Sequence, residues 1–443
     1  MKELLLEDGR YPCTLRIGRS KAGAVLDLAG GQAPGGPLYD LPPGWPVDPA
    51  AGRDGTWSVQ FPKPAQQLAV VRGRLRTNHQ VVLLDAQAQP LLAPGTGSVR
   101  AQAALCGMDI AARGTPRFAT VRFQVTGLTE LAATHPVDVE WPTGRPAAAG
   151  GAERFTAVVR DRERRWLTPA GDTVALAFHP HVAPMSGYRF AVDTFPQLTV
   201  TGRPRTAQAW LEQYVRPATL AAGFALARSQ QTAWVELSTG ASGASSTVQV
   251  FAADITQQPY PAADPDLLAC TLLTLEPGAA ELPALLEYWR AAARQPDSFS
   301  GRTAAALGRG PRERFLGLTA ALQSAHKDRH RGRRPSLGVQ LRTLGGLLPG
   351  PLQQQVREGF AGLPQLHTVL DENTAEPVDA WAVAGKVRNN LAHGGSGTPP
   401  TDAQLAPLAC LVHTLAAVVA LDDLHLPTAL LEQAVADGRW TVL

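Results

Sequence analysis

The stretch KVRNNLAHGG, residues 386–395, brings an arginine, Arg388, an asparagine, Asn389, and a histidine, His393, together ahead of two glycines. Histidine titrates closest to neutrality, so His393 could take a proton from a hydroxyl or return one to a leaving oxygen. A guanidinium beside it, Arg388, could hold the extra negative charge of a phosphorane-like transition state. Asn389 could orient the imidazole or a phosphate through its side-chain amide. Those roles suit metal-free cleavage of RNA, with the ribose 2′-OH as the internal nucleophile. The bland reading is a helix end capped by Gly394 and Gly395, with Asn389 and His393 satisfying its last carbonyls. On residue chemistry alone both readings stand.

Spacing adds little by itself. Arg74 and His79, in RLRTNH, have the same separation and lie in a β-rich region. Context separates the two pairs. On a helix Asn389 and His393, four residues apart, share a face, and the long Arg388 side chain can swing in from the flank. One such helix supplies a single set of groups, so a two-fold dimer pairing two copies would build a composite cleft with two histidines and two arginines.

The elements that must position these residues are helical. EPVDAWAVAGKVRNNLAH has Pro377 near its start and the glycine pair at its end, both helix-boundary signals. Before it, ELPALLEYWRAAAR reads as a helix. PRERFLGLTAALQSAHKDRH follows, with Pro311 suited to a first turn and an apolar stripe of Phe315, Leu318, Leu322 and Ala325. One or two more helices are expected between 336 and 361. After the RNA-cleaving candidate, DAQLAPLACLVHTLAAVVAL starts at an Asp402 cap and is apolar on most sides, which predicts a central buried helix. PTALLEQAVADG closes the bundle.

Charge is unevenly spread through this bundle. Residues 301–342 carry ten Lys or Arg against two Asp or Glu, whereas residues 343–443 carry four against ten. The densest part, HKDRHRGRRP, holds His326, Lys327, Arg329, Arg331, Arg333 and Arg334. With Lys386, these are the candidate RNA-binding residues, through phosphate contacts. Their structural reading is a helix C-terminus whose negative dipole end attracts cations.

Other chemistry is sparse. The chain has no GxxxxGK[ST] loop, GxSxG elbow or HExxH pair. His179-Pro180-His181 resembles a metal pair, but proline fixes the backbone between them and no carboxylates or thiolates cluster nearby, so a loop at a strand end is expected. Cys13, Cys106, Cys270 and Cys410 are far apart and read as reduced thiols, with neither a disulfide framework nor a metal site. No metal and no cofactor is expected. At 443 residues, 44% hydrophobic and 18% charged, the chain suggests two or three soluble domains. The start, MKELLLEDGRYP, lacks a secretory h-region, and no apolar run looks long enough to span a bilayer; a cytoplasmic protein is expected.

The first two hundred residues read as short strands between breaker-rich turns: CTLRIG, AVLDLAG, TWSVQF, LAVVRGRL, QVVLLDA, ATVRFQVTGL, VDVEW, RFTAVVRD, TVALAF and QLTVTG. A helix over 205–227 and two further strands, AWVELST and TVQVFAAD, complete that part, and TQQPYPAADPD (256–266) is the linker candidate. The expected fold class is multidomain α+β. An N-terminal antiparallel β-rich module, sandwich- or barrel-like, spans 1–275, and an all-α helical bundle spans 276–443.

KVRNNLAHGG resembles the RNxxxH motif of HEPN domains, small helical bundles that commonly act as dimeric ribonucleases. The β-rich part, with RYPCTLRIG, AVLDLAG, VRGRLRTNHQVVLLDA and a helix after LTVTG, is similar to the N-terminal domain of ApeA-like anti-phage proteins, which carry a C-terminal HEPN domain. The resemblance implies that Arg388, Asn389 and His393 line an RNA-cleavage site. It also implies abortive-infection defence: an enzyme silent until a phage trigger arrives, then cutting cellular RNA such as tRNA. One departure stands out. Such domains often place an acidic residue in the helix around 318–326, where this chain has Gln323.

Two rival readings remain at the level of sequence. In one, the helical part only dimerises and the protein is a non-catalytic sensing module. In the other, the β-rich part is the active component, a ligand-binding sandwich on a helical scaffold.

Overall fold

A computed structural model describes residues 2–6, 9–17, 24–28, 66–75, 80–90, 97–107, 115–133, 137–140, 156–159, 163–186, 189–240, 247–258, 271–275, 280–330, 335–363, 366, 379–393 and 400–442. The first half is antiparallel β structure and the second half helical, an α+β chain. Its strands are β1 (Lys2–Leu6), β2 (Gly9–Ile17), β3 (Ala24–Leu28), β4 (Gln66–Leu75), β5 (Gln80–Pro90), β6 (Gly97–Gly107) and β7 (Arg117–Val125). Then come β8 (Val137–Glu140), β9 (Thr156–Val159), β10 (Arg164–Leu167), β11 (Thr173–Ser186), β12 (Arg189–Thr206), β13 (Thr232–Ser238) and β14 (Thr247–Ala252).

The helices are α1 (Leu128–Ala132), α2 (Ala207–Trp210), α3 (Arg216–Ala225), α4 (Leu282–Arg294), α5 (Phe299–Leu307) and α6 (Pro311–Arg329). They continue with α7 (Leu337–Gly345), α8 (Gly350–Ala361), α9 (Ala380–His393), α10 (Asp402–Asp423) and α11 (Ala429–Ala436). A π-helical turn, Leu211–Val215, joins α2 to α3.

Contacts divide the chain into two compact units that interleave along the sequence. The first is Met1–Gln124, Thr199–Trp210 and Gln231–Tyr260, and the second is Val125–Leu198, Leu211–Gln230 and Pro261–Leu443. The sequence places its cut at 275; residues 259–266 of the linker candidate 256–266 lie outside the described residues.

In the first unit, six strands pair in a ring. β1 pairs with β2, β2 with β3, β3 with β6, β6 with β5, β5 with β4, and β4 returns to β1, all antiparallel. β6 makes this possible by sharing one edge: Gly97–Ala101 faces β3, while Ala103–Gly107 faces β14. Val81 through Leu84 are buried in succession, as are Ala103, Ala104 and Leu105, so both faces of these strands are covered. Beside them, Trp210 donates its indole N–H to the Phe118 carbonyl at 2.8 Å, and Arg205 lies 4.8 Å over the same ring.

Several strand boundaries differ from the sequence reading. The strand expected over ATVRFQVTGL ends at Val125, because Gly127 turns the chain with φ 76° and α1 begins one residue on. β12 continues to Thr206, so the helix expected from 205 starts at Ala207. His179-Pro180-His181 falls within β11 rather than in a loop after it. TWSVQF lies outside the described residues.

The helical core of the second unit is built on α10. Every residue from Leu411 to Leu421 is buried, so its apolarity on all sides is matched by packing on all sides. The window Leu405–Asp423 is 19 residues long with mean hydropathy 1.9, enough by length and composition to cross a bilayer, contrary to the sequence estimate; 78% of it is buried inside the protein. α6 packs along it through Phe315, Leu318, Leu322 and Ala325, the stripe that the 3.6-residue period picks out.

Candidate active site

α9 carries the candidate residues because its burial changes partway along. Asp379 accepts from the Ala382 N–H at 2.8 Å and pairs with Arg342 at 2.7 Å, which fixes the helix start against α7. From Ala380 to Gly385 every residue is buried, and Val387 is too. The crossing with α7 is tight: a Cβ on Gly385 would lie 2.8 Å from the Gly338 nitrogen. Beyond Val387 the helix opens. Arg388 is half-buried, while Asn389, Ala392 and His393 are exposed. His393 ends the helix one turn after Asn389, as four-residue spacing requires.

Arg388 is held by amides. One guanidinium nitrogen donates to the Asn389 side-chain oxygen at 3.2 Å, and the other reaches the Gln323 side-chain oxygen on α6 at a long 3.4 Å. Among the described residues no carboxylate pairs with it. The neighbouring arginines behave differently. Arg329 pairs with Asp422 and Asp423, Arg342 with Asp379, and Arg439 with Asp437. A half-buried cation held only by neutral acceptors keeps its charge uncompensated, and an anion is the partner that would complete it.

The structure sorts the basic block. Lys327 is exposed, and one turn separates it from Gln323 on α6. Arg329 is half-buried, donates to the Val419 carbonyl at 3.3 Å and joins the end of α6 to the end of α10. That leaves it as a clamp between helices. His326 is buried, and its ring lies 4.6 Å from that of His330, centre to centre. Burial, then the neighbouring His330, hold the His326 pKa below its ordinary value. Lys386 is half-buried on α9. Arg331, Arg333 and Arg334 lie outside the described residues. The structure therefore joins Arg388, Asn389 and Gln323 in one hydrogen-bonded group and ties Arg329 up elsewhere.

Two other groups bear on the chemistry. His413, in the middle of α10, is fully enclosed; burial pushes its pKa down to about 3, with the Arg314 charge adding to the shift. Its ring packs 4.9 Å from Trp440. Burial also raises the Cys410 thiol, against the opposing effect of Arg314, so it stays protonated at neutral pH. A shallow cleft elsewhere in the second unit is lined by Thr168, Tyr214, Glu287 and Arg290, and Tyr214 donates to the buried Asp172. Among the described residues no three His, Cys, Asp or Glu side chains gather in a metal-holding group.

Sequence reasoning noted Gln323 only as a departure from an acidic position; its contact with Arg388 joins helices 65 residues apart and has no local signal. No family model, curated protein or solved structure matches this chain.

Proposed function

We propose that the protein is a metal-independent endoribonuclease of HEPN type, built like the ApeA-like anti-phage proteins, that acts in the cytoplasm in abortive-infection defence. The observation that carries this reading is Arg388: a half-buried guanidinium held by two amide oxygens and, among the described residues, no carboxylate, on the same helix end as the exposed imidazole of His393.

In the proposed reaction, the 2′-oxygen of a ribose attacks the adjacent phosphorus as His393 takes its proton or, in the companion role, protonates the departing 5′-oxygen. The new 2′-O–P bond forms as the P–O5′ bond breaks, leaving a 2′,3′-cyclic phosphate and a free 5′-hydroxyl. Arg388 stabilises the additional negative charge at phosphorus, and Asn389 positions Arg388 through the 3.2 Å bond. A single α9 supplies one imidazole, so the complete site needs a second copy of the chain with its α9 facing the first. Cellular RNA, such as tRNA, is the substrate, and the β-rich part responds to a phage trigger.

The test is to incubate untagged protein with RNA in excess chelator beside His393→Ala and Arg388→Ala. Cyclic-phosphate ends made by the wild type and lost in both variants support the assignment. Cleavage unchanged in both variants refutes it. A fragment starting at residue 276 that still cuts RNA would assign the β-rich part a regulatory role.

A further inference from the structure

The end of α6 holds a feature that RNA cleavage does not use. His326 lies in the last turn of α6, and His330, four residues on, caps that helix with extended backbone, φ −124°. The His330 N–H donates to the His326 carbonyl at 2.8 Å, closing the last turn, so both side chains project from one ordered backbone segment. Their rings lie 4.6 Å apart, centre to centre, tilted by 35°. Among the described residues neither imidazole has a hydrogen-bond or ion-pair partner. The residues between them point elsewhere: Lys327 and Asp328 are exposed, and Arg329 is turned to Asp422 and Asp423.

We propose that His326 and His330 form a two-imidazole site for a borderline-soft divalent cation of the Zn²⁺, Ni²⁺ or Cu²⁺ class. Imidazole nitrogen suits these ions, whereas Mg²⁺ and Ca²⁺ take oxygen donors. Zinc–nitrogen bonds of about 2.0–2.1 Å in tetrahedral array place two donor atoms roughly 3.4 Å apart. The ring centres, 4.6 Å apart, are close to that spacing.

Burial holds the His326 ring in place at the end of α6. Among the described residues the adjacent charges are offset: Lys327 stands beside Asp328, and Arg329 is enclosed by Asp422 and Asp423. Arg331, Arg333 and Arg334 follow in the sequence. With two protein ligands and water completing the shell, the ion exchanges readily and staples the last turn of α6. That turn, His326–His330, begins three residues beyond Gln323, the α6 partner of Arg388. The site stands whether or not Arg388 and His393 cleave RNA.

The experiment uses the untagged full chain, titrated calorimetrically with zinc sulfate at about pH 7.5, with melting temperature followed in parallel. One equivalent should bind and raise the melting temperature. His330→Ala, which alters an exposed side chain, should weaken binding by about tenfold or more and remove the thermal shift, since a single imidazole cannot chelate. Lys327→Ala should bind as the wild type does, and His326→Asn should reproduce the loss. Equal zinc affinity in the wild type and His330→Ala overturns the proposal, as does no binding by the wild type.

Discussion

α9 and α10 follow one another in the chain, and each carries a histidine, yet the two imidazoles live in opposite environments. His393 ends α9, exposed, one turn from Asn389. His413 sits in the middle of α10 with every residue around it buried, and its pKa falls to about 3. The first is open to solvent; the second cannot be charged without exposing its helix. A histidine becomes chemically useful through the termination of packing around it, and α9 achieves this by burying Ala380 to Gly385 and releasing the polar residues beyond Val387.

The sharpest way to break that contrast is to remove the exposed imidazole. His393→Ala should lower RNA cleavage by about 10²- to 10⁴-fold with an unchanged melting temperature, measured by gel-based cleavage rates and thermal denaturation.

The buried imidazole should give the reverse pattern. Its folded pKa lies below the unfolded value of 6.5, so the unfolded state binds the proton first. Stability from His413 is therefore full above about pH 6.5 and lost as pH falls toward 3, by up to about 5 kcal/mol. His413→Phe should flatten the acid limb of the stability profile, compared by urea denaturation between about pH 7 and pH 4, and leave the cleavage rate at neutral pH unchanged.

Next in size is the crossing that holds the buried half of α9. Gly385→Ala puts a methyl group 2.8 Å from the Gly338 nitrogen, backbone that cannot rotate away. It should destabilise the protein by about 1–3 kcal/mol in chemical denaturation, with a smaller loss of activity as α9 shifts.

The smallest effect concerns the amide that touches Arg388. Gln323→Glu supplies a carboxylate where there is now a neutral acceptor at 3.4 Å. It should change cleavage by only a few-fold, about 1 kcal/mol, and shift the salt dependence of RNA binding toward weaker affinity, because it offsets the charge of Arg388, the cation proposed to meet phosphate.

Much of this architecture is legible in the sequence because it follows from periodicity. The apolar stripe of α6 and the unbroken apolarity of α10 identify the two central helices, and alternation between turn residues marks most strands. What escaped was short or atypical. β6, GSVRAQAALCG, is rich in alanine and has a single β-branched residue, Val99, by which a strand could be read, although it joins both sides of the ring. α5 was passed over, yet Ser298 accepts from the Gly301 N–H at 3.1 Å, a cap signal available in the sequence. At the candidate site, the grouping of Arg388 with Asn389 could be read from adjacency. Its uncompensated charge could not, since that depends on which of the carboxylates lie near it in space, and the one clamp that takes Asp422 and Asp423 is made by Arg329.

The strand ring has a mechanical consequence. A closed barrel is as secure as its weakest stave: β1 and β3 are the shortest at five residues each, and β1 also has an irregular register between Leu4 and Leu6. Its pairing with Gly73–Leu75 joins segments about seventy residues apart, so it closes late and opens early. Deleting Lys2–Leu6 would leave β2 and β4 each with a bare edge, turning a surface that offers no backbone for strand addition into one that recruits other chains.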